Sequence, residues 1–271
     1  MDLVALAGAA RHNAVVTLHG TSYGENGSPI VFCHGLFGQG KNWTSIAKAF
    51  AADHQVLLLD LPHHGRSPWA DEFDYLEMAD QVADALPDEP VTLVGHSMGG
   101  KVAMVLALRH PERVERLCVV DVAPVNYGSA GEFGGYIKAM RGLDLTSLES
   151  RSQASDALAE AVPSETVRGF LLQNLRRDGD GWRWQPNLEV LGEELAEVTG
   201  WPAEALSDAA PYDGPVLWIA GGDSGYVTGE VTAEMERWFP TNRRVTIKGA
   251  GHWVHSQRPE VFIEVLRRFV A

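Results

Sequence analysis

Short apolar runs rich in β-branched residues alternate with helical patterns along most of this 271-residue chain. Strands are predicted near 14–18, 30–34, 55–60, 91–95, 116–121, 215–220 and 243–248, and helices near 43–52, 75–86, 98–109 and 260–270. Strands that alternate with helices usually form a parallel sheet with helices on both faces. The sequence therefore predicts an α/β fold with a mostly parallel central sheet flanked by helices.

One long segment interrupts this alternation. Residues 125–210 contain helical patterns, such as 131–142 and 164–176, and a Trp-rich turn in DGDGWRWQPN. We expect them to form an inserted helical cap (lid) that follows the 116–121 strand. Residues 1–124 and 211–271 then make up the core.

Charge and cysteine content exclude several classes of protein. The net charge of −14 disfavours nucleic acid and anionic membranes as partners. Cys33 and Cys118 lie in strand-like runs, which favours buried free thiols over a disulfide or a metal site. The N-terminal run MDLVALAGAARH carries Asp2 where a signal peptide would be positive, and no stretch approaches membrane-spanning length. We therefore expect a cytoplasmic protein without metal or cofactor.

A serine stands at a predicted corner between strand and helix in LVGHSMGGKVAMVLALRH, residues 93–110. Gly95-His96-Ser97-Met98-Gly99 matches the G-x-S-x-G nucleophile elbow, in which a strained backbone exposes the serine hydroxyl. The helix that begins at Met98 directs its N-terminal amides and its positive dipole end toward that hydroxyl. Ser97 is thus the predicted nucleophile, and the Met98 amide is one predicted donor to an oxyanion.

Two loops that follow earlier strands complement this corner. In IVFCHGLFGQGKNW, His34 and Gly35 end a strand, so the next amide, of Leu36, can be the second oxyanion donor. The loop DLPHHGRS contains further polar groups, which we interpret as groups that stabilise the turn: Asp60, His63, His64 and Ser67.

Four motifs, HGLFG, DLPHHGRS, GHSMGG and GAGHWVH, occur in this order and spacing, and together they resemble the α/β-hydrolase superfamily over nearly the whole chain. The segments LFGQGKNW, DVAPVNY and GGDSGYV resemble in particular the small bacterial esterases of the YbfF type. This resemblance implies hydrolysis of carboxylic esters or thioesters by acyl transfer through serine.

The resemblance also implies a catalytic histidine on the loop after the last strand. His252 in VTIKGAGHWVHSQRPE occupies that position. Because a serine hydroxyl is a poor nucleophile near neutral pH, it needs such a base. His255 is the alternative, and we interpret it as a surface or supporting residue.

The carboxylate that should orient this histidine has two candidates. In most members of the superfamily it follows the penultimate strand, but alignment of PVLWIAGGDSGYV on Gly221 places Ser224 at that position and Asp223 one residue early. The alternative position in the superfamily is the end of the preceding strand, where Asp121 stands. We predict Asp121 as the acid, with Ser224 adding a hydrogen bond to the same imidazole, and Asp223 remains the second candidate.

Aromatic and apolar side chains beside these motifs are predicted to line a substrate pocket. Those next to the motifs are Phe37, Met98, Tyr226 and Trp253, and those near the start of the cap are Tyr127, Phe133 and Tyr136. Trp182 and Trp184 are interpreted as cap packing. The cap shows no cluster of basic residues that would hold a phosphate-rich acyl carrier such as coenzyme A.

These features predict a carboxylesterase that cleaves short- to medium-chain acyl esters of small molecules, as a monomer or a homodimer. Three alternatives stay open. They are a cofactor-free perhydrolase or haloperoxidase, a carbon–carbon bond hydrolase on the same fold, and a related protein that binds ligands without turnover. An aspartate replaces the elbow serine in haloalkane dehalogenases and epoxide hydrolases, so Ser97 excludes both.

Overall fold

The computed structural model describes residues 17–128 and 131–271. The strands of this part are β1 (Gly20–Tyr23), β2 (Pro29–Cys33), β3 (Gln55–Leu59), β4 (Val91–His96), β5 (Val114–Val120), β6 (Leu175–Asp178), β7 (Gly181–Trp184), β8 (Val216–Gly221) and β9 (Asn242–Ile247). Its α-helices are α1 (Thr44–Phe50), α2 (Tyr75–Ala85), α3 (Met98–Arg109), α4 (Glu132–Arg141), α5 (Arg151–Leu158), α6 (Glu165–Leu172), α7 (Leu188–Glu193), α8 (Leu195–Thr199), α9 (Thr232–Trp238), α10 (Val254–Gln257) and α11 (Pro259–Val270).

Seven strands form the central sheet in the order β1-β3-β2-β4-β5-β8-β9. All neighbouring strands run parallel except β1, which is antiparallel to β3. Every residue of β2, β4 and β8 is buried, which explains why these strands are continuous apolar runs in the sequence. The predicted α/β fold with a mostly parallel sheet is confirmed.

The two faces of the sheet carry separate apolar clusters. Val31 and Cys33 contribute to the cluster that contains residues of α2 and α3, whereas Ile30 and Phe32 contribute to the one that contains residues of α1 and α11. Cys118 belongs to the second cluster, so the two cysteines lie on opposite faces. Both are free and buried, as predicted.

The first predicted strand, at 14–18, is wrong for its two described residues. Residues 17 and 18 lie outside any strand, and 14–16 lie outside the described residues, as does the N-terminal run MDLVALAGAARH. A strand, β1, instead occupies Gly20–Tyr23 at the start of the segment GTSYGENGSP, whose many turn-forming residues predict a hairpin or loop. It is a mostly exposed edge strand, so no apolar run marks it in the sequence.

The segment between β5 and β8 contains helices α4 to α8 and the two-stranded sheet β6-β7. We call its described residues 131–210 the insertion. The predicted helix at 131–142 corresponds to α4, whereas the one at 164–176 ends at Leu172, because Leu175 already begins β6.

The Trp-rich stretch, predicted as a turn, includes strand β7 of this hairpin. The indole of Trp182 donates to Leu148 O, and that of Trp184 donates to Met140 O. Both rings therefore pack within the insertion, in agreement with their interpretation.

Polar contacts attach the insertion to the core. Gln39 Nε2 donates to Asn174 Oδ1 at 2.8 Å, Asn174 Nδ2 donates to Phe37 O at 2.8 Å, and Tyr75 Oη donates to Val198 O at 2.6 Å. Among the described residues, no helix combines the length and the apolar character that crossing a membrane requires.

Candidate active site

Ser97 occupies a sharp corner between β4 and α3. Its backbone has φ 52° and ψ −120°, which a residue with a side chain rarely adopts. The corner is held by hydrogen bonds, because Ser97 N donates to Val120 O at 3.0 Å and Gly100 N donates to Ser97 O at 2.8 Å. The surrounding structure thus stabilises a strained backbone that places the hydroxyl at the sheet edge.

Two glycines of the motif make room for this corner. A Cβ on Gly95 would lie 2.3 Å from Gly99 O, and one on Gly99 would lie 2.3 Å from His34 O. Both contacts involve backbone atoms, which cannot rotate away. The chain therefore approaches itself at the corner more closely than any other residue type allows.

His252 lies on the loop that follows β9 and reaches back to the corner. Its Nε2 is 3.0 Å from Ser97 Oγ, and its Nδ1 is 2.8 Å from Asp121 Oδ2. In the tautomer that carries its proton on Nδ1, His252 donates to Asp121 and accepts from the serine hydroxyl. The structure thus brings together three residues that were predicted separately.

Asp121 follows β5 and is fully buried, with φ 51°. Its Oδ1 accepts from Gly221 N at 2.9 Å, and its Oδ2 accepts from Ser224 Oγ at 2.5 Å as well as from His252. These three donors hold the carboxyl group in a fixed orientation next to the imidazole. Ser224 was predicted to hydrogen-bond to the imidazole, but its hydroxyl donates to the Asp121 carboxylate instead, because the carboxylate lies between the two.

The second candidate acid lies elsewhere. Asp223 is exposed, and no hydrogen bond or ion pair among the described residues links its carboxylate to a histidine. Its backbone N–H donates to Ala250 O at 2.9 Å. A one-residue difference in this loop therefore separates a side chain that points to the site from one that faces solvent.

His255 is buried rather than on the surface, which corrects half of its interpretation as a surface or supporting residue. Its ring stacks on Trp43 with centroids 4.0 Å apart and lies 4.8 Å from the ring of His96. Burial lowers the pKa of His255 to about 3 and the pKa of His96 well below its usual value. Both rings are therefore neutral near pH 7.

His96 supports the loop that carries His252. His96 Nε2 lies 2.8 Å from His252 O, and the two rings have centroids 4.7 Å apart. The Tyr226 ring stacks on His252 with a centroid distance of 4.2 Å and an interplanar angle of 25°. Contacts with two neighbouring rings therefore restrict the orientation of the imidazole.

Leu36 and Met98 contribute the amides that were predicted as oxyanion donors. Both residues line the cavity beside Ser97. In the described part of the chain, neither amide donates to another backbone or side-chain group. Free amide donors in the wall of a pocket next to a nucleophile can stabilise a developing oxyanion.

The cavity beside Ser97 has a volume of about 290 Å³. Of the predicted pocket residues, Met98, Tyr127, Phe133 and Tyr226 line it. Phe37, Tyr136 and Trp253 do not. Phe37 is buried with its ring 6.3 Å from that of Phe133. Tyr136 donates to Glu132 Oε2, and Trp253 lines a separate groove of about 820 Å³.

Residues that sequence reasoning missed complete the wall of this cavity. They are Lys101 and Val122 from the core, Val198 and Thr199 from the insertion, and the glycines 128, 131 and 225. Lys101 could have been found, since it is a charged residue in an apolar stretch of the helix that begins directly after Ser97. No local sequence pattern indicates that Val198 and Thr199 line the cavity.

The loop DLPHHGRS has the stabilising role that was predicted for it. Asp60 Oδ1 accepts from Gly40 N at 2.7 Å, and Asp60 Oδ2 accepts from Arg66 N at 2.9 Å. Ser67 Oγ donates to Asp60 O at 2.5 Å. His63 and His64 are buried. Among the described residues, no three His, Cys, Asp or Glu side chains are arranged to hold a metal ion.

Comparisons with known proteins agree with this architecture. Residues 28–259 match the family described as the alpha/beta hydrolase fold. The chain is 39% identical over 251 residues to the sn-1-specific diacylglycerol lipase ABHD11 of Mus musculus, covering 89% of this chain and 80% of that protein. It is 33% identical over 248 residues to the esterase YbfF of Escherichia coli (strain K12), covering 90% and 94%.

Among solved structures, a marine microorganism esterase superposes with a TM-score of 0.89 at 33% identity, covering 94% of this chain and 99% of that one. The family match extends over most of the chain and includes β2 to β9 with the serine corner and His252. This chain belongs to the α/β-hydrolase fold family.

Proposed function

We propose that this protein is a serine carboxylesterase that cleaves short- to medium-chain acyl esters, with Ser97, His252 and Asp121 as its catalytic triad. One observation carries the proposal. His252 lies between the other two side chains, 3.0 Å from Ser97 Oγ and 2.8 Å from Asp121 Oδ2. The names of the relatives, esterase and lipase, support the same chemistry.

The first half of the reaction is acylation. His252 Nε2 takes the proton of Ser97 Oγ as the oxygen attacks the ester carbonyl carbon. The Asp121 carboxylate stabilises the resulting imidazolium and fixes its orientation. The amides of Leu36 and Met98 stabilise the oxyanion of the tetrahedral intermediate. When that intermediate collapses, His252 gives its proton to the leaving alcohol.

The second half regenerates the enzyme. His252 removes a proton from a water molecule, whose oxygen attacks the acyl carbonyl carbon. The bond between that carbon and Ser97 Oγ then breaks, the proton returns to Ser97, and the carboxylic acid leaves. Ser224, which donates to Asp121 Oδ2, helps to keep that carboxylate aligned with the imidazole.

The substrate would bind in the 290 Å³ cavity. Its apolar walls and modest volume suit an acyl group of short to medium length. Phe133, Val198 and Thr199 of the insertion contribute to these walls, which supports a role for residues 125–210 as a cap over the site. We also propose a reducing, cytoplasmic environment, since both cysteines are buried free thiols.

The test compares hydrolysis of p-nitrophenyl esters of increasing acyl length by the wild type and by Ser97→Ala. We expect turnover that is highest for short and medium acyl groups and a fall in kcat of about 10⁴-fold or more in Ser97→Ala. A fluorophosphonate probe should label the wild type at Ser97 and leave the variant unlabelled. Stoichiometric acylation without turnover, or equal turnover by the variant, would contradict the proposal.

A further inference from the structure

Lys101 is the one lysine in the wall of the cavity beside Ser97, among the described residues. It lies on α3, only 2% exposed, four residues after Ser97. Its side chain and that of Ser97 nevertheless line one cavity. The proposed mechanism gives this amine no role.

The hydrogen bonds of Lys101 use only part of the donor capacity of its ammonium group. Its Nζ donates to Thr199 O at 2.6 Å and to Gly200 O, both at the end of α8. The aromatic rings of Tyr127 and Tyr75 have their centroids 5.0 and 5.9 Å away. A lysine ammonium carries three N–H groups, so these two carbonyl acceptors leave it one donor.

Lys101 also lacks a counter-ion. None of the ion pairs formed by the described residues includes it. An unpaired charge in an apolar site is unfavourable, and burial accordingly lowers the pKa of Lys101 to about 7. An anion that entered the cavity would bind to this amine, restore its charge and supply the missing partner.

A substrate bound at Ser97 can reach Lys101, because both residues line the same cavity. The Met98 amide, a proposed oxyanion donor, and Lys101 lie on the same helix and in the same wall. An acyl group whose carbonyl is held at Met98 and Ser97 would extend into a cavity that Lys101 also lines.

We propose that Lys101 binds a carboxylate at the far end of the acyl group, so that the preferred substrates are monoesters of short dicarboxylic acids. The inference rests on the proposed esterase function and narrows its substrate class. Esters with a plain alkyl acyl group would still react, but they would leave the buried amine without a counter-ion.

A matched pair of substrates tests this. Monoethyl glutarate and ethyl pentanoate differ by a carboxylate in place of a terminal methyl group, and proton release in a pH-stat follows both. We expect a wild-type kcat/KM about tenfold or more higher for the glutarate ester, mainly through KM, because the added contact is a charged hydrogen bond. In Lys101→Met, the ratio of kcat/KM for the glutarate ester to kcat/KM for ethyl pentanoate should fall to one or below.

Tyr75→Phe is the control variant. It removes the neighbouring hydrogen bond to Val198 O but keeps the amine, so it should retain the wild-type ratio. A loss of preference in both variants would assign the effect to α8 rather than to charge and would overturn the proposal. O-acetyl-4-hydroxybutyrate, which carries its carboxylate on the alcohol side, should gain no advantage over butyl acetate. A higher kcat/KM for O-acetyl-4-hydroxybutyrate than for butyl acetate would contradict the proposal that Lys101 binds the acyl half of the substrate.

A second measurement needs no variant at Lys101. The free amine loses its proton as pH rises through about 7, while burial raises the pKa of the phenols that face it, Tyr75 and Tyr127, so both stay neutral. The ratio of kcat/KM for the glutarate ester to that for ethyl pentanoate should therefore fall between pH 6 and 8. Steps common to both substrates cancel in this ratio. A constant ratio would overturn the proposal.

Binding to catalytically inactive protein separates this inference from the proposed function. In calorimetry, Ser97→Ala should bind monoethyl glutarate about tenfold more tightly than Ser97→Ala/Lys101→Met. Equal affinities would overturn the role of Lys101 even for an active esterase. A clear difference in binding together with absent hydrolysis by the wild type would instead refute the esterase function.

Discussion

His252 Nδ1 lies 2.8 Å from Asp121 Oδ2, although 131 positions separate the two residues in the chain. Asp121 follows β5 and His252 follows β9, and only β8 lies between these two strands in the sheet. Because the three strands are parallel, their carboxyl ends meet at one edge. The contact is therefore a consequence of sheet order, and it defines which acid can act on the histidine.

Asp121→Asn should lower kcat by about 10⁴-fold with ester substrates, because an amide cannot stabilise the imidazolium and can impose the wrong tautomer on His252. Asp223→Asn is the matched control and should change kcat by less than about twofold, since its side chain is exposed. Steady-state kinetics of the two purified variants measures both. If Asp121→Asn keeps its activity and Asp223→Asn loses it, Asp223 rather than Asp121 is the catalytic acid.

Ser224→Ala should reduce kcat by about tenfold, because Asp121 Oδ2 loses a hydrogen bond to a charged group but keeps His252. Ser224→Thr, which retains a hydroxyl, should recover part of the activity. In the double variant with Asp121→Asn, the two effects should not add, since Ser224 acts through that carboxylate. Full additivity in this double-mutant cycle would mean that Ser224 contributes by another route.

Gly99→Ala should destabilise the protein by about 1–3 kcal/mol, because its Cβ would lie 2.3 Å from the backbone oxygen of His34. Gly169→Ala is the control within α6. A Cβ there meets nothing within 4 Å, so the free energy of unfolding should rise by up to about 1 kcal/mol. Urea unfolding measures both changes. If Gly99→Ala leaves the free energy of unfolding unchanged, the backbone at this corner can move apart at little energetic cost.

His255 should make the stability depend on pH. Burial lowers its pKa from 6.5 to about 3, so the folded protein favours the neutral ring. The resulting stability is present above about pH 6.5 and is lost as pH falls toward 3, since the unfolded chain takes up the proton first. Each such histidine contributes a slope of up to about 1.4 kcal/mol per pH unit.

His255→Phe keeps an aromatic ring against Trp43 but cannot take up a proton, so its free energy of unfolding should fall less steeply between pH 6.5 and 4. Urea titrations at several pH values measure the slope. His54→Gln serves as the control variant, because it changes a half-buried histidine that does not contact His255. Equal slopes in His255→Phe and the wild type would show that this ring titrates normally in the folded state.

Much of the fold could be predicted because its signals are local. Parallel strands buried on both faces are continuous apolar runs, so β2, β4 and β8 could be recognised from sequence. The serine corner was equally visible, because a strained turn between strand and helix needs glycines at set spacings. The exposed edge strand β1 lacked such a signal, and its segment was predicted as a hairpin or loop.

The sequence by itself determined the order of strands and helices, the position of Ser97 at a corner, and a short set of histidines and carboxylates that could serve it. Only the tertiary structure decided that Asp121 rather than Asp223 contacts His252, and that Lys101 enters the pocket while Phe37 and Trp253 stay outside it. The physical reason is that strand and helix periodicity act over a few residues. Contacts between side chains instead depend on how distant loops meet at the edge of the sheet.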